Sequence, residues 1–184
     1  MIITLSGDPG SGKSTVAKIL AQQLNLKHYS MGDMRGKIAI DLRLTIDELN
    51  KRGESESFTD KDVDEYQKKL GKQEDNFIVD GRLSFYFIPN SYKIYLKVDG
   101  RVAAQRIFNA PKRADERLYS SIDDVLNATK ARVESDKKRY QKYYGIDYTN
   151  ATQYDLVIDT TNNTPAQIAD KIILELKKKE LVKN

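Results

Sequence analysis

The chain has 184 residues, of which 39% are hydrophobic: enough for one well-filled core and short for two, so a single domain spanning 1–184 is expected. Although 32% of the residues are charged, the formal net charge is only +4, which requires neither a nucleic acid nor an anionic membrane as partner and suits a small polyanionic substrate. The absence of cysteine excludes disulfides, thiolate nucleophiles and cysteine-based zinc sites, and the one histidine cannot build a metal site by itself.

In chain order, Ile2, Ile3, Thr4 and Leu5 read as a short buried strand, and Val16, Ile19, Leu20 and Leu24 fall at helical spacing. Between them Gly7-Asp8-Pro9-Gly10-Ser11-Gly12-Lys13-Ser14 completes the pattern G-x-x-x-x-G-K-S/T, which implies a bound nucleoside triphosphate. Glycines let the backbone curl until successive N–H groups point at phosphate oxygens, and the following helix adds its positive dipole end. Lys13 would reach the β and γ phosphates and Ser14 would place its hydroxyl on Mg²⁺. The ATP-binding stretch thus comprises Gly7, Asp8, Pro9, Gly10, Ser11, Gly12, Lys13, Ser14 and Thr15. At Asp8 the backbone, not the side chain, is expected to face the phosphates. The first strand leads straight into this loop with no basic-then-apolar leader and no long apolar run, so a cytoplasmic protein outside the membrane is expected.

Further candidate strands at 27–30, 76–80, 93–98 and 154–159 alternate with helical patterns, the mark of a parallel sheet covered by helices and so of an α/β fold. The run from Asn76 to Asp80 reads as a central strand ending in a carboxylate. Ligands gather at the carboxyl ends of such strands, so Asp80 points toward the phosphate loop and is expected to act on magnesium through water. His28, beside Tyr29 at a strand edge, reads as structural. Thr45 with Glu48 forms a capping box, and Thr164-Pro165-Ala166-Gln167 starts a C-terminal helix that ends in the solvated Lys177, Lys178 and Lys179.

Two polar, mostly helical insertions interrupt the sheet, at about 33–75 and about 109–143. In the second, Ser120–Tyr143 reads as one long helix. Pro111 stops the helix before it, which makes Asn109-Ala110-Pro111-Lys112-Arg113 and the residues up to 119 a candidate mobile lid. The eleven tyrosines read as core and helix-face residues more than as base-stacking platforms, with Tyr140, Tyr143 and Tyr144 as a packing stripe.

Phosphoryl transfer needs positioning and positive charge more than a covalent catalyst, so arginines able to converge on the loop are the residues of interest. Arg82 follows Asp80 and Gly81 in the turn after the central strand, and Arg106 ends a helix just before the lid. Arg132, Asp136 and Arg139 stand at i, i+4 and i+7 of the long helix, on one face, so that Arg132 and Arg139 would flank the carboxylate of Asp136. The same spacing also suits a surface helix decorated with weak charge pairs.

The phosphate loop, the Asp80-Gly81-Arg82 turn, the Arg132, Asp136 and Arg139 helix, the segment Tyr140 to Ile146 and the strand Tyr154 to Thr160 together resemble the cytidylate kinases, closest to their short archaeal-type branch. The resemblance covers nearly the whole chain. It implies a three-layer P-loop NTPase fold with a five-stranded parallel sheet, a monophosphate-binding insertion at 33–75 and a lid at 109–131 bearing Arg106, Lys112 and Arg113. It also implies MgATP and CMP or dCMP as substrates, ADP and the diphosphate as products, and a monomer. Lys13, Arg82, Arg132 and Arg139 would be catalytic, and Ser14 and Asp80 would serve the metal. Ser30, Gly32, Arg35, Asp80, Gly81, Arg82, Arg132, Asp136 and Arg139 would bind the acceptor.

One position departs from the family pattern Ser-x-Gly-x-x-x-Arg: after Ser30, Met31 and Gly32 the arginine arrives one residue early, at Arg35, with Gly36 in its place. One residue is about 100° of rotation on a helix, so either the local register adjusts, or Lys37 or Arg43 supplies the charge, or the acceptor differs from CMP. UMP, AMP and small metabolites are the alternative acceptors, and a non-catalytic nucleotide-binding regulator is the alternative class. A guanine reader Asn-Lys-x-Asp is missing, since Asn50-Lys51-Arg52-Gly53 has no aspartate in fourth place.

Overall fold

A computed structural model describes residues 1–56, 58–111 and 114–182. Five strands, β1 (Ile2–Gly7), β2 (Lys27–Ser30), β3 (Phe77–Asp80), β4 (Tyr92–Lys97) and β5 (Leu156–Asp159), pair in parallel in the order β2-β3-β1-β4-β5. Each lies within two residues of its expected boundaries. The largest shift at a start is the two residues at β5, and the one-residue shift at β3 has a local cause, since Asn76 takes a left-handed φ of 58° and the ladder begins after it. Because all five strands run the same way, Gly7, Ser30 and Asp80 end at one edge of the sheet.

Alternation along the strands builds two cores. Ile3, Leu5, Ile78, Ile94 and Leu96 face α1 (Lys13–Gln23) and α8 (Pro165–Lys178), which bury Val16, Leu20, Ile168, Ile172 and Leu176 against them. On the other face Phe77, Val79 and Tyr95 meet α4 (Phe58–Gln73), α5 (Ser84–Phe87) and α7 (Ile122–Tyr144) through Val63, Leu70, Phe85 and Tyr140. The result is a sheet between two helical layers. The insertion after β2 folds as α2 (Met31–Asp41), α3 (Ile46–Gly53) and α4, and α6 (Gly100–Asn109) precedes the segment that leads to α7. Ser121 caps α7 by accepting from the Asp124 N–H, so residues 122–131 of the expected lid belong to that helix. Both capping boxes form, at Thr45 with Glu48 and at Thr164 with Gln167. No helix among the described residues is long and apolar enough to cross a membrane.

The crossover from β1 to α1 works only with glycine at its start. Gly7 takes a φ of 146°, and a Cβ there would sit 2.3 Å from the carbonyl oxygen of Leu96 on β4. Gly7→Ala is therefore expected to lower stability by about 3 kcal/mol through strain and overpacking. A urea denaturation midpoint indistinguishable from that of the parent chain would contradict this.

Candidate functional site

The loop between β1 and α1 is fixed from within and from its neighbour. Ser11 Oγ donates to the Asp8 carbonyl at 2.7 Å, while the Asp8 side chain turns away to β4, accepting from Tyr95 Oη at 2.7 Å and from the Val98 N–H at 3.1 Å. Asp8 thus ties the loop to the sheet and leaves backbone N–H groups to face a ligand. Lys13 Nζ folds over the loop and donates to the carbonyls of Gly7 and Asp8 at 2.9 and 2.8 Å. Burial, reinforced by the positive charge of Arg82 and opposed by Asp80, lowers its pKa to about 7.

Asp80, 3% exposed at the end of β3, gathers three side chains. Ser14 Oγ donates to Oδ1 at 3.0 Å, Ser30 Oγ donates to the same oxygen at 3.3 Å, and His28 Nε2 lies 2.7 Å from Oδ2. His28 therefore touches the carboxylate next to the phosphate loop and has a definite partner in the site. Ser14 and Asp80 supply small, hard oxygen donors side by side, which fits a magnesium ion that keeps most of its waters. Ser6, one residue before the loop, donates to the carbonyls of Gly81 and Arg82 at 3.0 and 3.2 Å and so sets the turn that aims Arg82.

Arg82 leads into a chain of alternating charges. Its Nε lies 3.0 Å from Asp136 Oδ2, Asp136 Oδ1 accepts from Arg139 Nη2 at 2.5 Å, and Arg139 Nη1 donates to Asp60 Oδ2 at 2.9 Å. Asp60 also pairs with Arg35 Nη1, which donates as well to the Thr59 carbonyl at 3.2 Å, while Arg35 Nη2 donates to Asn50 Oδ1 at 3.0 Å. Gly53 lets this chain close, because a Cβ there would lie 2.9 Å from Arg139 Cδ. Burial works against the charge on Asp136, but Arg82, Arg139 and Arg132 outweigh it and hold its pKa below the usual carboxylate range. Burial and the neighbouring Arg139 lower Arg35 to about 10.

The two arginines that flank Asp136 are thus Arg82 and Arg139. The i, i+4 partner Arg132 forms no ion pair among the described residues, and its Nε has no hydrogen-bond partner. Arg132 lines the cavity, together with Lys13, Ser14, Arg82, Arg35 and Asp80. Gly32 and Gly81 also border it, whereas Asp136 and Arg139 are fully buried behind its wall. Arg35 is on that wall, while Lys37 and Arg43 are exposed and Gly36 is buried. Arg106 donates to the carbonyls of Thr160 and Thr161 at 2.7 and 3.1 Å and to that of Gly10 at 3.5 Å, as a strut between α6, the loop and the turn before α8. Beside it a second cavity runs past Thr15, Asn163 and Pro165. Lys112 and Arg113 lie outside the described residues.

The family model described as the cytidylate kinase-like family matches residues 2–162 of this sequence. The chain belongs to that family. Cytidylate kinase of Methanocella arvoryzae is 39% identical over 97% of this chain and 99% of its own length, and that of Archaeoglobus fulgidus is 36% identical over 97% of each. Shikimate kinase from Bacteroides thetaiotaomicron superposes with a TM-score of 0.66 at 15% identity, covering 98% of both chains, a likeness of fold alone.

Within this cytidylate kinase-like chain, the site also uses groups that the motifs do not reveal. Asp60, Asp64 and Gln67 border the cavity from α4, and Asn50 supports Arg35 from α3. Their signal was present: Asp60, Asp64 and Gln67 stand at i, i+4 and i+7, the spacing that draws attention to Arg132, Asp136 and Arg139.

Removing the charge of Asp136 leaves two buried guanidiniums short of a counter-ion, so Asp136→Asn is expected to destabilise the fold by about 3–5 kcal/mol at pH 7. Because the folded-state pKa of Asp136 is depressed, its contribution is full above its unfolded value near 4 and is lost as pH falls through the lower folded value. The stability gap between the two proteins, read from denaturant midpoints, should therefore narrow below about pH 4. A gap constant from pH 7 down to pH 2 would contradict the charge argument.

Proposed function

We propose that this protein transfers the γ-phosphoryl group of ATP to CMP or dCMP, giving ADP and CDP or dCDP. The observation that carries the reading is one cavity at the carboxyl ends of the strands where the phosphate loop, Arg82, Arg132 and Arg35 face one another. The relatives named cytidylate kinase support the choice of acceptor.

In this reading an oxygen of the acceptor phosphate attacks the γ phosphorus in line, its new P–O bond forming as the bond to the ADP oxygen breaks. Little covalent chemistry is asked of the protein. The loop N–H groups and Lys13 hold the triphosphate, and Arg82 and Arg132 face the transferring group and offset its negative charge. Arg35 meets the acceptor from the insertion at 33–75. Asp136 and Arg139 act as positioning residues that aim Arg82, and Asp60 does the same for Arg35. Ser14 and Asp80 would hold Mg²⁺, which neutralises triphosphate charge. Closure of the segment at 109–121 that leads into α7, part of a single kinase unit, would exclude water so that transfer outruns hydrolysis. All groups named come from one chain, so a monomer suffices.

The deciding experiment is coupled ADP release with MgATP against CMP, dCMP, UMP, AMP and GMP, each beside a blank without acceptor. Turnover highest with CMP or dCMP is expected. Preference for another monophosphate would overturn the acceptor, and release equal to every blank would overturn phosphotransfer. A second expectation concerns Lys13, whose pKa near 7 leaves it mostly neutral at pH 8. Bound triphosphate restores its charge, so ATP binding at pH 8 should take up about one proton. Calorimetric titration in buffers of different ionisation enthalpy reads that number. An equal uptake by Lys13→Met would remove Lys13 as its source.

A further inference from the structure

Asp60, Asp64 and Gln67 share one face of α4 and border the same cavity as the phosphate loop. Their commitments differ. Both oxygens of Asp60 are engaged by Arg139, and Arg35 pairs with it as well. Asp64 has one partner: Tyr144 Oη donates to its Oδ2, and no ion pair reaches it among the described residues. Its second oxygen is left to accept. Gln67 is 3% exposed and its Oε1 accepts from Ser84 Oγ at 2.7 Å, which fixes the carboxamide and leaves the Nε2 donor uncommitted among the described residues. Val63, Leu83 and Met31 supply apolar wall around this pair, as a flat ring requires.

An acceptor beside a donor is the complement of one pyrimidine edge. Cytosine offers the 4-amino donor next to the N3 acceptor, whereas uracil offers the O4 acceptor next to an N3–H donor. The cations Lys13, Arg82 and Arg132 line the same cavity and suit the phosphate of such an acceptor. We propose that Asp64 and Gln67 read the base of the acceptor, the Asp64 carboxylate accepting from the 4-amino group of cytosine and Gln67 Nε2 donating to N3. This rests on the acceptor reading given above. Uracil at the same place sets O4 against a carboxylate and N3–H against an N–H, leaving two buried polar pairs unmatched.

Burial lifts the Asp64 carboxyl to about 6, against the Tyr144 hydrogen bond and the more distant charges of Lys68, Arg35 and Arg139 that pull it down. The groups around it are few. Lys68 and Asp60 belong to its own helix, Arg35 comes from α2, and Arg139 and Tyr144 come from α7. Tyr86 of α5 acts on Lys68, and on α3 the charges of Lys51 and Arg52 pair with Glu54 and Glu56. Above its pKa the carboxylate accepts and selects cytosine; below it the protonated carboxyl donates and admits uracil O4.

The test measures kcat/KM for CMP and for UMP from pH 5 to 8 in the parent chain and in Asp64→Asn. The ratio is the readout, because both acceptors carry the same phosphate and its ionisation cancels. In the parent chain the CMP to UMP ratio should fall about tenfold between pH 7.5 and 5, in step with the ionised fraction of Asp64. In Asp64→Asn, whose amide oxygen takes over the Tyr144 Oη hydrogen bond and so turns its non-titrating NH2 donor to the base, the ratio should drop about 100-fold at pH 7.5 and stay flat with pH. A parent ratio that does not change with pH overturns the proposal, and that profile decides even if the variant fails to fold. So does a variant whose ratio matches the parent's. Absence of turnover with every monophosphate overturns the phosphotransfer reading and this proposal with it, whereas CMP turnover with an indifferent Asp64 overturns this proposal alone.

Discussion

A carboxylate enclosed on all sides stays charged only if cations are built in around it, and Asp136 is fully buried. That requirement organises the site. Its two partners come from different parts of the fold, Arg82 from the turn after β3 and Arg139 from the next turn of α7. Arg139 in turn takes Asp60 from α4, and Asp60 takes Arg35 from α2. A single run of alternating charges thus joins the sheet edge, the long helix and two helices of the insertion. It orients two of the arginines that face the cavity, Arg82 and Arg35. Arg82 is held by Asp136, which never reaches the wall, and Arg35 by Asp60, which borders the cavity and is itself held by the buried Arg139.

The phosphate loop is positioned by a separate set of contacts. Asp8 fastens it to β4 through Tyr95 and Val98, and Ser6 fastens the Arg82 turn to β1. Both devices use polar side chains on strands whose other face is apolar core. The same two strands therefore bury a hydrophobic surface and dictate the distance between the loop and the arginine turn. Ser14, Ser30 and His28 meet on Asp80 between these anchors, so the first turn of α1 and the strands β2 and β3 share one polar cluster.

Much of this was legible in the sequence because the information is local. The glycine loop, the Asp80-Gly81-Arg82 turn, both capping boxes and the five strands each declare themselves within a few residues. Pairings across the chain did not. The i, i+4 spacing of Arg132 and Asp136 made them natural partners, yet Asp136 found Arg82 instead, because the turn after β3 delivers a guanidinium from the open side of α7. Asp60 bonds to Arg139 across 79 positions, and His28 reaches Asp80 across 52, separations that no window of sequence spans. The early arrival of Arg35 was visible as a departure from the family pattern. Its resolution needed Asp60 and Asn50, which hold the side chain on the cavity wall.

The alternating charges behind the wall also bear on how such a chain can change over generations. Each interior member of the run, Asp136, Arg139 and Asp60, serves two neighbours, so replacing one strands two opposite charges in a dry environment. Replacing an adjacent acid and base together removes one of each sign and keeps the run in balance. Positions 35, 60, 82, 136 and 139 are therefore tied to a common inheritance although they are scattered over more than half of the chain. Lineages that drift at one of them are expected to pass through a paired exchange, and the five should vary as a set.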